Sequence, residues 1–553
     1  MCVSFSCFFF RTKVNVMSLI RLDLLPVELI HKIFTYLSAH EIFYAFSNLT
    51  DYLDGTLISY NRYVLNFRSI LKSHFDTTCG YMQPDQVISL TLSDDDETPD
   101  QSELFFSRFN IEQFTHLRSF DMSLMNNNTC KKLIHLDQLK HLSSLELPRL
   151  FQPHCQDFDT AIQKLLPQLN RLMAYNTDFL LDNPLPNLQH LILKYCSFYH
   201  LSTLFKLMPN LHSLDITLTL SIYSSEWSYG TPIMTNLRKL AFSSYGEKLT
   251  MIKIKEFLSK MPNLKHFELD TEGSMDLADG QQWESIVSHL ITFDFRIHLF
   301  DRPWDSAVDE NILQSFRSLF WLEQKRWFVA YDGPNLRHIF TIPRFAPTSV
   351  MHPYTHWPPI CTSSDFSFDQ YIKIFHISLL NPIPHCFTNI TSLIIGTNEI
   401  STDIGIIGFV NLVEHMQFLH SISFRDLSIL DHLPKDVVFE KIRSLNVRES
   451  VRTIDRLHTV FPRLERLNIE LTSRNNLVLL IDRLKYLSIA KFELNESSSL
   501  VTRNWLMKNS RCLRTNNNFT LNISNNRIYL WINNDKVSDQ MFKWCLPFEC
   551  NLQ

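Results

Sequence analysis

Apolar residues recur along most of the chain in one nine-residue pattern. It consists of an apolar residue, two variable residues, Leu, two variable residues, Leu, one variable residue and an apolar residue, with other apolar side chains replacing Leu in some copies. The last two apolar positions alternate with a variable one, as a short strand with one buried face requires. Thirteen segments carry the pattern and are each predicted to contain a strand: FTHLRSFDM (114–122), LKHLSSLEL (139–147), LPQLNRLMA (166–174), LPNLQHLIL (185–193), MPNLHSLDI (208–216), MTNLRKLAF (234–242), MPNLKHFEL (261–269), VSHLITFDF (287–295), FTNITSLII (387–395), MQFLHSISF (416–424), FEKIRSLNV (439–447), FPRLERLNI (461–469) and IDRLKYLSI (481–489).

The spacing of these segments predicts how the strands are arranged. The first eight copies start 19–27 residues apart, and the last five start 20–29 residues apart. Helical patterns lie between them, as in 252–264, where Ile254, Phe257, Leu258 and Met261 recur at steps of three and four. A unit of one strand and one helix cannot bury its apolar face alone, so neighbouring units must stack. The predicted fold class is α/β, a solenoid with parallel strands.

The repeated segments resemble leucine-rich repeats, over roughly residues 105–500 with a gap. Two copies keep the family's longer pattern: LQHLILKYCSF (188–198), with Cys196 at the Asn/Cys position, and ITSLIIGTNEI (390–400), with Asn398 there. The resemblance implies that Cys196 has a structural role in the turn of the solenoid rather than that of a reactive thiol or metal ligand. Most other copies have neither Asn nor Cys at this position, so the repeat is degenerate.

Residues 22–49 have the pattern of two amphipathic helices. Pro26 suits the first turn of the first helix, and Glu28 is well placed for its dipole. The apolar stripe of that helix consists of Leu29, Ile30, Ile33, Phe34 and Leu37. Ser38 and Glu41 form a capping box for a second helix, whose apolar residues are Ile42, Phe43, Phe46 and Leu49.

This N-terminal segment resembles an F-box. The match lies in its opening, at Leu25, Pro26, Glu28, Leu29, Ile30, Ile33, Phe34 and Leu37, whereas the later half, FSNLTDYLDGTL, lacks the family's Trp. The resemblance implies that the segment binds a Skp adaptor, and through it a cullin, while the following repeats hold a protein substrate. The adaptor-binding residues it implies are Leu25, Pro26, Leu29, Ile30, Ile33, Phe34, Leu37 and Ile42. Alternatively, the stripe is a buried helix that caps the solenoid.

These patterns predict a division of the chain. The predicted segments are a flexible N-terminus (1–18), the F-box-like helical module (19–65), a connector with the acidic loop SDDDETPD (66–104), a leucine-rich-repeat-like block (105–300), an irregular insertion or degenerate repeats (301–386), a second such block (387–500) and a C-terminal cap with a hairpin (501–553). Within the insertion, WFVAY and HIFTI have the pattern of a hairpin, and IKIFHI (372–377) that of a degenerate repeat. The C-terminal hairpin is predicted around Asn525-Asn526.

Composition narrows the classes of function. The chain has 553 residues and a net charge of −5, so it lacks the basic surplus typical of nucleic-acid binding. No stretch of eighteen apolar residues occurs, so no membrane-spanning helix is expected, and the order of charges near residue 1 does not fit a secretory signal. Eleven scattered Cys without a CxxC pair favour the cytoplasm or nucleus and predict no metal site. Only ten Gly are present, and no phosphate-binding loop or nucleophile elbow is found.

We therefore expect a binding protein without a cofactor, not an enzyme. The leading hypothesis is a substrate-recognition subunit of a Skp–cullin–F-box ubiquitin ligase. The alternatives are a leucine-rich-repeat interaction scaffold unconnected with ubiquitin and a hydrolase or transferase built on the insertion. The substrate itself is not indicated, since the candidate concave-face residues His190, His212, His266 and Arg466 accompany side chains of both charge signs.

Overall fold

The computed structural model describes most of the chain. The described residues are 22–125, 127–147, 156–177, 180–218, 232–299, 309–332, 337–352, 357–377, 387–396, 403–451, 454–495, 498–515 and 518–534. The predictions for residues 1–18 and for Asn398 lie outside them. Within these ranges, none of the helices has the length and apolar character needed to cross a membrane.

The strands follow one another along the chain at the spacing of the repeat. They are β1 (Tyr63–Asn66), β2 (Val87–Ser93), β3 (Ser119–Leu124), β4 (Ser144–Glu146), β5 (Arg171–Ala174), β6 (His190–Cys196), β7 (Ser213–Leu218), β8 (Lys239–Leu249), β9 (His266–Gly273), β10 (Thr292–Leu299), β11 (Phe328–Tyr331), β12 (His338–Ile342), β13 (Ser349–His352), β14 (Ile360–Cys361), β15 (Ile374–Ile377), β16 (Ser392–Ile395), β17 (Ser421–Phe424), β18 (Ser444–Val451), β19 (Arg466–Leu471), β20 (Ile489–Leu494), β21 (Phe519–Ser524) and β22 (Arg527–Ile532).

Helices occupy most of the segments between the strands. The α-helices are α1 (Val27–Phe34), α2 (Ala39–Phe46), α3 (Asp51–Ser59), α4 (Lys72–Tyr81), α5 (Gln101–Arg108), α6 (Gln156–Leu165), α7 (Phe198–Leu207), α8 (Met251–Ser259), α9 (Gly280–Val287), α10 (Asp309–Gln314), α11 (Asp403–His415), α12 (Ser428–His432), α13 (Leu457–Val460), α14 (Arg474–Arg483), α15 (Arg503–Asn509) and α16 (Arg511–Thr515). Single turns of 3-10 helix lie at Leu22–Leu24, Pro84–Gln86, Ile111–Gln113, Leu136–Gln138, Leu166–Gln168, Met275–Ala278, Asp369–Tyr371 and Ser498–Leu500, with a longer one at Asn127–Leu133 and a π-helix at Phe320–Lys325.

The strands form two sheets. The first has thirteen strands in the order β1 to β10, then β12, β11 and β14, and the second has nine in the order β13, β15 to β20, β22 and β21. Pairing is parallel from β1 to β10 and from β13 to β20. The structure is therefore of mixed α/β class with parallel-strand sheets, which agrees with the predicted α/β solenoid. We call β1–β10 with their helices the first block and β15–β20 with theirs the second block.

Every one of the thirteen predicted segments contains or overlaps a strand, but the register of the last copy was wrong. Arg466 pairs with Ile489 and Asn468 with Lys491, so the last copy begins at Leu484 rather than at residue 481. Ala490 takes the position at which the pattern has Leu, and it is fully buried. Ala is a weak apolar signal, so the pattern matches Leu487, three residues earlier, at this position instead of Ala490.

Two further units precede the first predicted copy. β1 pairs with β2, and β2 pairs with β3, in the same parallel arrangement as the later strands. The residues predicted as a connector (66–104) thus contribute α4, β2 and α5 to the array. β2 keeps the last three apolar positions of the pattern at Val87, Leu90 and Leu92, but Pro84 stands at its first position, and Phe67 and Phe75 fill the neighbouring core.

The predicted hairpins are confirmed. β11 and β12 pair antiparallel, and β12 joins them to β10. β15, within the predicted degenerate repeat, pairs parallel with β13 and β16. β21 and β22 pair antiparallel around Asn525 and Asn526, both of which have positive φ angles (51° and 61°), and β22 covers β20. Asn tolerates this left-handed conformation better than most residues, which explains the tight turn.

The C-terminal hairpin lies against the beginning of the array. Trp531 on β22 is fully buried in the same apolar core cluster as Phe67 and Phe75. Asn518 Nδ2 donates to Asp76 Oδ2 at 2.7 Å, and Asn522 Nδ2 donates to Asp100 Oδ1 at 2.7 Å. The array of described units is therefore closed: its last hairpin contacts its first units.

Candidate functional site

The N-terminal helices divide the predicted adaptor-binding stripe into two ridges. Ile30 and Phe34 point into the core shared with the first block, and Ile42 on α2 is buried there as well. Leu29 and Ile33 lie one position earlier in each turn of α1, about 100° around the helix axis from Ile30 and Phe34. Tyr36 continues their line in the turn that follows α1, where its N–H donates to the carbonyl of Ile33 at 3.0 Å. We call Leu29, Ile33 and Tyr36 the outer ridge.

The outer ridge is an apolar surface. Leu29 is 48% exposed and Tyr36 is 69% exposed, and Leu24, just before α1, is 72% exposed. Pro26 is exposed as well, whereas Leu25 and Leu37 are half-buried and pack against the core. The structure thus leaves Pro26 and Leu29 of the predicted set exposed and Ile33 half-buried, and it places Ile30, Phe34 and Ile42 where they hold the helices on the array.

The capping box predicted between the helices is confirmed. The backbone N–H of Ser38 donates to Glu41 Oε2 at 2.8 Å, and the Ser38 hydroxyl donates to the same oxygen at 2.6 Å. Just before α1, the carbonyl of Leu25 accepts from the hydroxyl of Tyr52 on α3 at 2.6 Å. The Ser38–Glu41 bonds fix the start of α2, and the bond from Tyr52 ties the segment before α1 to α3.

A second surface is the face of the sheets that points away from the core. On β9 the burial alternates, with Phe267 and Leu269 in the core and His266, Glu268 and Asp270 on the opposite face. Strands lie about 4.8 Å apart and packed helices about 8–10 Å apart, so the strand side of a closed array is its inner side. We call this surface the inner face.

The inner face of the first block carries a row of carboxylates. Strand pairing aligns the residues that occupy the eighth position of the repeat pattern. Five of them are acidic: Asp121, Glu146, Asp215, Glu268 and Asp294. Burial raises the pKa of Glu146, Asp215 and Asp294, and neighbouring carboxylates add to the effect in each case. We call these five residues the acidic row.

Arginines of the chain itself bind beside this row. Arg344, which follows β12, donates through Nε and Nη2 to the two carboxylate oxygens of Glu268 at 3.0 and 2.8 Å. Arg296 on β10 donates through Nε to Asp270 Oδ1 at 3.0 Å, and the Tyr245 hydroxyl donates to the other oxygen of Asp270 at 2.7 Å. The region predicted as an irregular insertion therefore contributes a charged contact to the inner face.

The inner face of the second block has a different character. In the row that corresponds to the acidic row, the paired residues are His376, Ile394, Ser423, Asn446, Asn468 and Lys491. This row contains no carboxylate. Ser423 is 6% exposed, and its hydroxyl has no hydrogen-bond partner among the described residues. Apart from Ile394, the row thus consists of side chains that can donate hydrogen bonds, whereas Glu470 and Glu493 place two carboxylates further along β19 and β20 on the same face.

The acidic loop lies against this second surface. Glu97 accepts from Arg466 Nη1 at 2.5 Å, and Asp96 accepts from Lys491 Nζ at 2.5 Å. The loop forms a turn held by hydrogen bonds, because Asp95 Oδ1 accepts from the backbone N–H groups of Glu97 and Thr98, both at 3.0 Å. The sequence indicated an acidic loop between the helical module and the repeats, but not that its charges would be paired with the second block.

The four predicted inner-face residues do not form one site. His190 and His266 lie in one row at the start of their strands, on either side of Ser213 and Lys239. His212 precedes β7, with Nδ1 2.7 Å from the carbonyl of Asn210. Arg466 lies on the second block. The acidic row was missed, although its signal is visible in the sequence: five copies of the pattern have Asp or Glu as the eighth residue.

Two chemical features of the described residues bear on reactivity. Cys196 is 2% exposed, and burial raises the pKa of its thiol to about 12, which fits a structural role in the turn. Across the described ranges, no group of three or more His, Cys, Asp or Glu side chains is arranged to hold a metal ion.

The described residues define a mixed α/β protein with parallel-strand sheets. No family model matches the chain, and no curated protein matches it. Among solved structures, it is similar to a chain of the TLR13–ssRNA13 complex, with a TM-score of 0.21 and 15% identity over 77% of this chain and 57% of that one. The chain thus spans little more than half the length of that protein. It is also similar to a chain of the complex of Rad7 and Elc1 in yeast, with a TM-score of 0.23 and 12% identity over 81% of this chain and 87% of that one.

Proposed function

We propose that this chain is the substrate-recognition subunit of a Skp–cullin–F-box ubiquitin ligase. Its outer ridge binds the Skp adaptor, and through it a cullin, while the inner face of the array holds a protein substrate in the cytoplasm or nucleus. The observation that carries the proposal is the outer ridge, where Leu29 and Tyr36 stay exposed at the front of a closed repeat array. No catalytic residue of this chain takes part.

The outer ridge has the form of a helix that docks into an apolar groove. Leu29, Ile33 and Tyr36 follow the i, i+4, i+7 spacing of such helices. Burying a side chain of this size contributes about 1.5–3 kcal/mol, so the three together offset roughly the lower part of the 4–15 kcal/mol that association costs. Leu24 and Pro26 extend the same apolar surface, and their burial offsets the rest of the free-energy cost of association.

Co-purification with a Skp adaptor tests the proposal. The double variant Leu29→Asp/Ile33→Asp places two charges on the outer ridge and leaves the buried Ile30 and Phe34 untouched. We expect the wild-type chain to retain the adaptor and a cullin, and the variant to lose both. A matched control is Ile252→Asp/Ile291→Asp, because these side chains are 76% and 62% exposed on the repeat array. Failure of the wild type to bind any adaptor, or equal binding by the outer-ridge variant, would overturn the proposal.

The second candidate is an interaction scaffold unconnected with ubiquitin. It is favoured by the way in which α1 and α2 share one core cluster with the first block, since Ile30, Phe34 and Ile42 then serve as its N-terminal cap. Deleting residues 1–65 would remove β1 and expose this core, so the outer-ridge variant is the cleaner test. On this alternative the variant changes no interaction, and no cullin is recovered with the wild type.

A further inference from the structure

We propose that the inner face of the second block binds an acidic segment of a protein partner, and that the chain's own loop 94–98 occupies that surface as a competitor. The inference rests on the part of the proposed function in which the array holds a protein, and it does not depend on adaptor binding. Its basis is an occupant already present: Asp96 and Glu97 bind Lys491 and Arg466.

The surface extends beyond the two residues that the loop occupies. Asn468 pairs with Lys491 in the sheet and Asn446 lies on the next strand, in the row that has no carboxylate. Ser423 lies one strand further, largely buried and with its hydroxyl unpaired among the described residues. Side-chain amides, hydroxyls and cations are the donors that carboxylates accept from. A row of such donors therefore continues from the site of the loop and matches a longer acidic segment.

Charges of both signs lie beside this row, because Glu470 and Glu493 follow Asn468 and Lys491 on the same face, and Glu493 is paired with Arg527 at 3.1 Å. Arg448 is exposed near His376 on the same inner face. Arg466 lies at the start of β19, beside His420, and its charge acts on that imidazole. The inner face of the first block, by contrast, carries the acidic row. An acidic partner therefore fits the row around Arg466 and Lys491 better than it fits the acidic row of the first block.

The loop is built to present its carboxylates and can still be displaced. Asp95 and the 0%-exposed Thr98 hold the turn, and Thr98 Oγ1 donates to the carbonyl of Ser93 at 2.9 Å. Asp96 and Glu97 project from it. Their ion pairs lie at a solvent-accessible surface, where such pairs contribute about 0–1 kcal/mol each. A partner with a longer acidic segment can therefore replace the loop without disturbing the turn or the core.

Fluorescence anisotropy with a labelled synthetic peptide tests the inference. The probe is the nine-residue sequence LSDDDETPD of the chain's own loop (92–100), and its control has Asn and Gln in place of Asp and Glu. The variant Asp96→Asn/Glu97→Gln frees the surface and should bind the acidic probe about tenfold more tightly than the wild type, as expected from the loss of two competing ion pairs. The control peptide should not bind, and binding should weaken with added salt.

Two variants of the basic residues complete the test. Adding Arg466→Gln/Lys491→Gln to the loop variant should abolish probe binding, whereas Lys206→Gln/Lys255→Gln, which removes the same charge from exposed helix positions, should not. If the first pair of substitutions impairs folding, as judged by circular dichroism, the exchange Asp96→Lys/Glu97→Lys with Arg466→Glu/Lys491→Glu restores opposite charges and should bind a Lys-rich probe instead.

Several results would overturn the inference, and none of them bears on the adaptor, which is absent from the experiment. One is that the loop variant melts at a lower temperature but does not bind the acidic probe, so that the loop is only a structural clamp. Another is that probe binding survives loss of Arg466 and Lys491. A third is that a single-stranded RNA decamer binds the loop variant more tightly than the peptide, which would indicate general polyanion binding.

Discussion

The indole N–H of Trp531 donates a hydrogen bond to the backbone carbonyl of Ile70 at 3.0 Å and so joins two residues 461 positions apart. The Trp531 ring packs on Phe75, with ring centroids 5.2 Å apart, and the ammonium of Lys72 lies 5.3 Å from the Trp531 ring. The ends of an open solenoid would each expose an apolar edge to water. In this chain the C-terminal hairpin covers the first units, so both edges are buried by one contact.

We expect Trp531→Ala to destabilise the fold by about 3–5 kcal/mol, because it removes a fully buried ring and leaves the Ile70 carbonyl without its donor. Trp531→Phe should cost less, since it keeps most of the packing. Urea unfolding followed by circular dichroism measures both. The half-buried Trp505, on α15, provides the matched control. If Trp505→Ala destabilises the fold as much as Trp531→Ala does, the contact that closes the array contributes no more than an ordinary packed Trp.

Acid should weaken the contact between α2 and α4. His74 is 8% exposed and stacks on His40 at a centroid distance of 5.0 Å. Burial lowers the pKa of His74 to about 4, and the nearby His40 lowers it further, against an opposing effect of Glu41. Between pH 6.5 and 4 the unfolded state therefore binds a proton that the folded state does not, so stability falls as pH falls.

The size of this effect follows from the shift. From pH 7 to pH 5 the His74 contribution should fall by about 2 kcal/mol. His74→Phe keeps a ring in the stack and should flatten the pH dependence of the urea midpoint over that range. Some dependence will remain, because burial lowers the pKa of His40 as well. An unchanged slope in His74→Phe would contradict the assignment.

Asp294, in the acidic row, should lower the free energy of unfolding when it is ionised. Asp294 has a raised pKa because of burial and the nearby Glu268, opposed by the hydrogen bond from Thr341 and by Arg344. Between its ordinary pKa and its raised one the folded state binds more protons than the unfolded state, so stability falls as pH rises through that window. Asp294→Asn removes the charge and should raise the melting temperature at neutral pH.

The gain from Asp294→Asn should shrink as the pH is lowered towards the ordinary pKa of Asp, where both states are protonated. Thermal unfolding from pH 8 down to about pH 4, close to the ordinary pKa of Asp, measures this trend. Asp182→Asn, at an exposed position, is the control and should change little across the series. A gain that is independent of pH would point to packing rather than to charge.

The sequence predicts some features of the candidate sites and not others. The outer ridge follows from helical spacing, but the same spacing could not tell Leu29 from Ile30, since which side of α1 is buried depends on what α1 packs against. The acidic row was readable as one repeated position of the pattern. The pairing of Glu97 with Arg466 was not, because no local rule connects residues 369 positions apart.

The sequence by itself determined the unit of the fold and its repetition. Alternating apolar positions specify strands such as β7, and helical spacing specifies helices such as α8, because each rule acts within a few residues. Tertiary structure alone decided that Phe-rich segments near Phe67 extend the array, that Ala490 replaces Leu, and that Trp531 closes it. These outcomes depend on how much apolar surface is buried between segments distant in the chain, a quantity that exists only once the units are stacked.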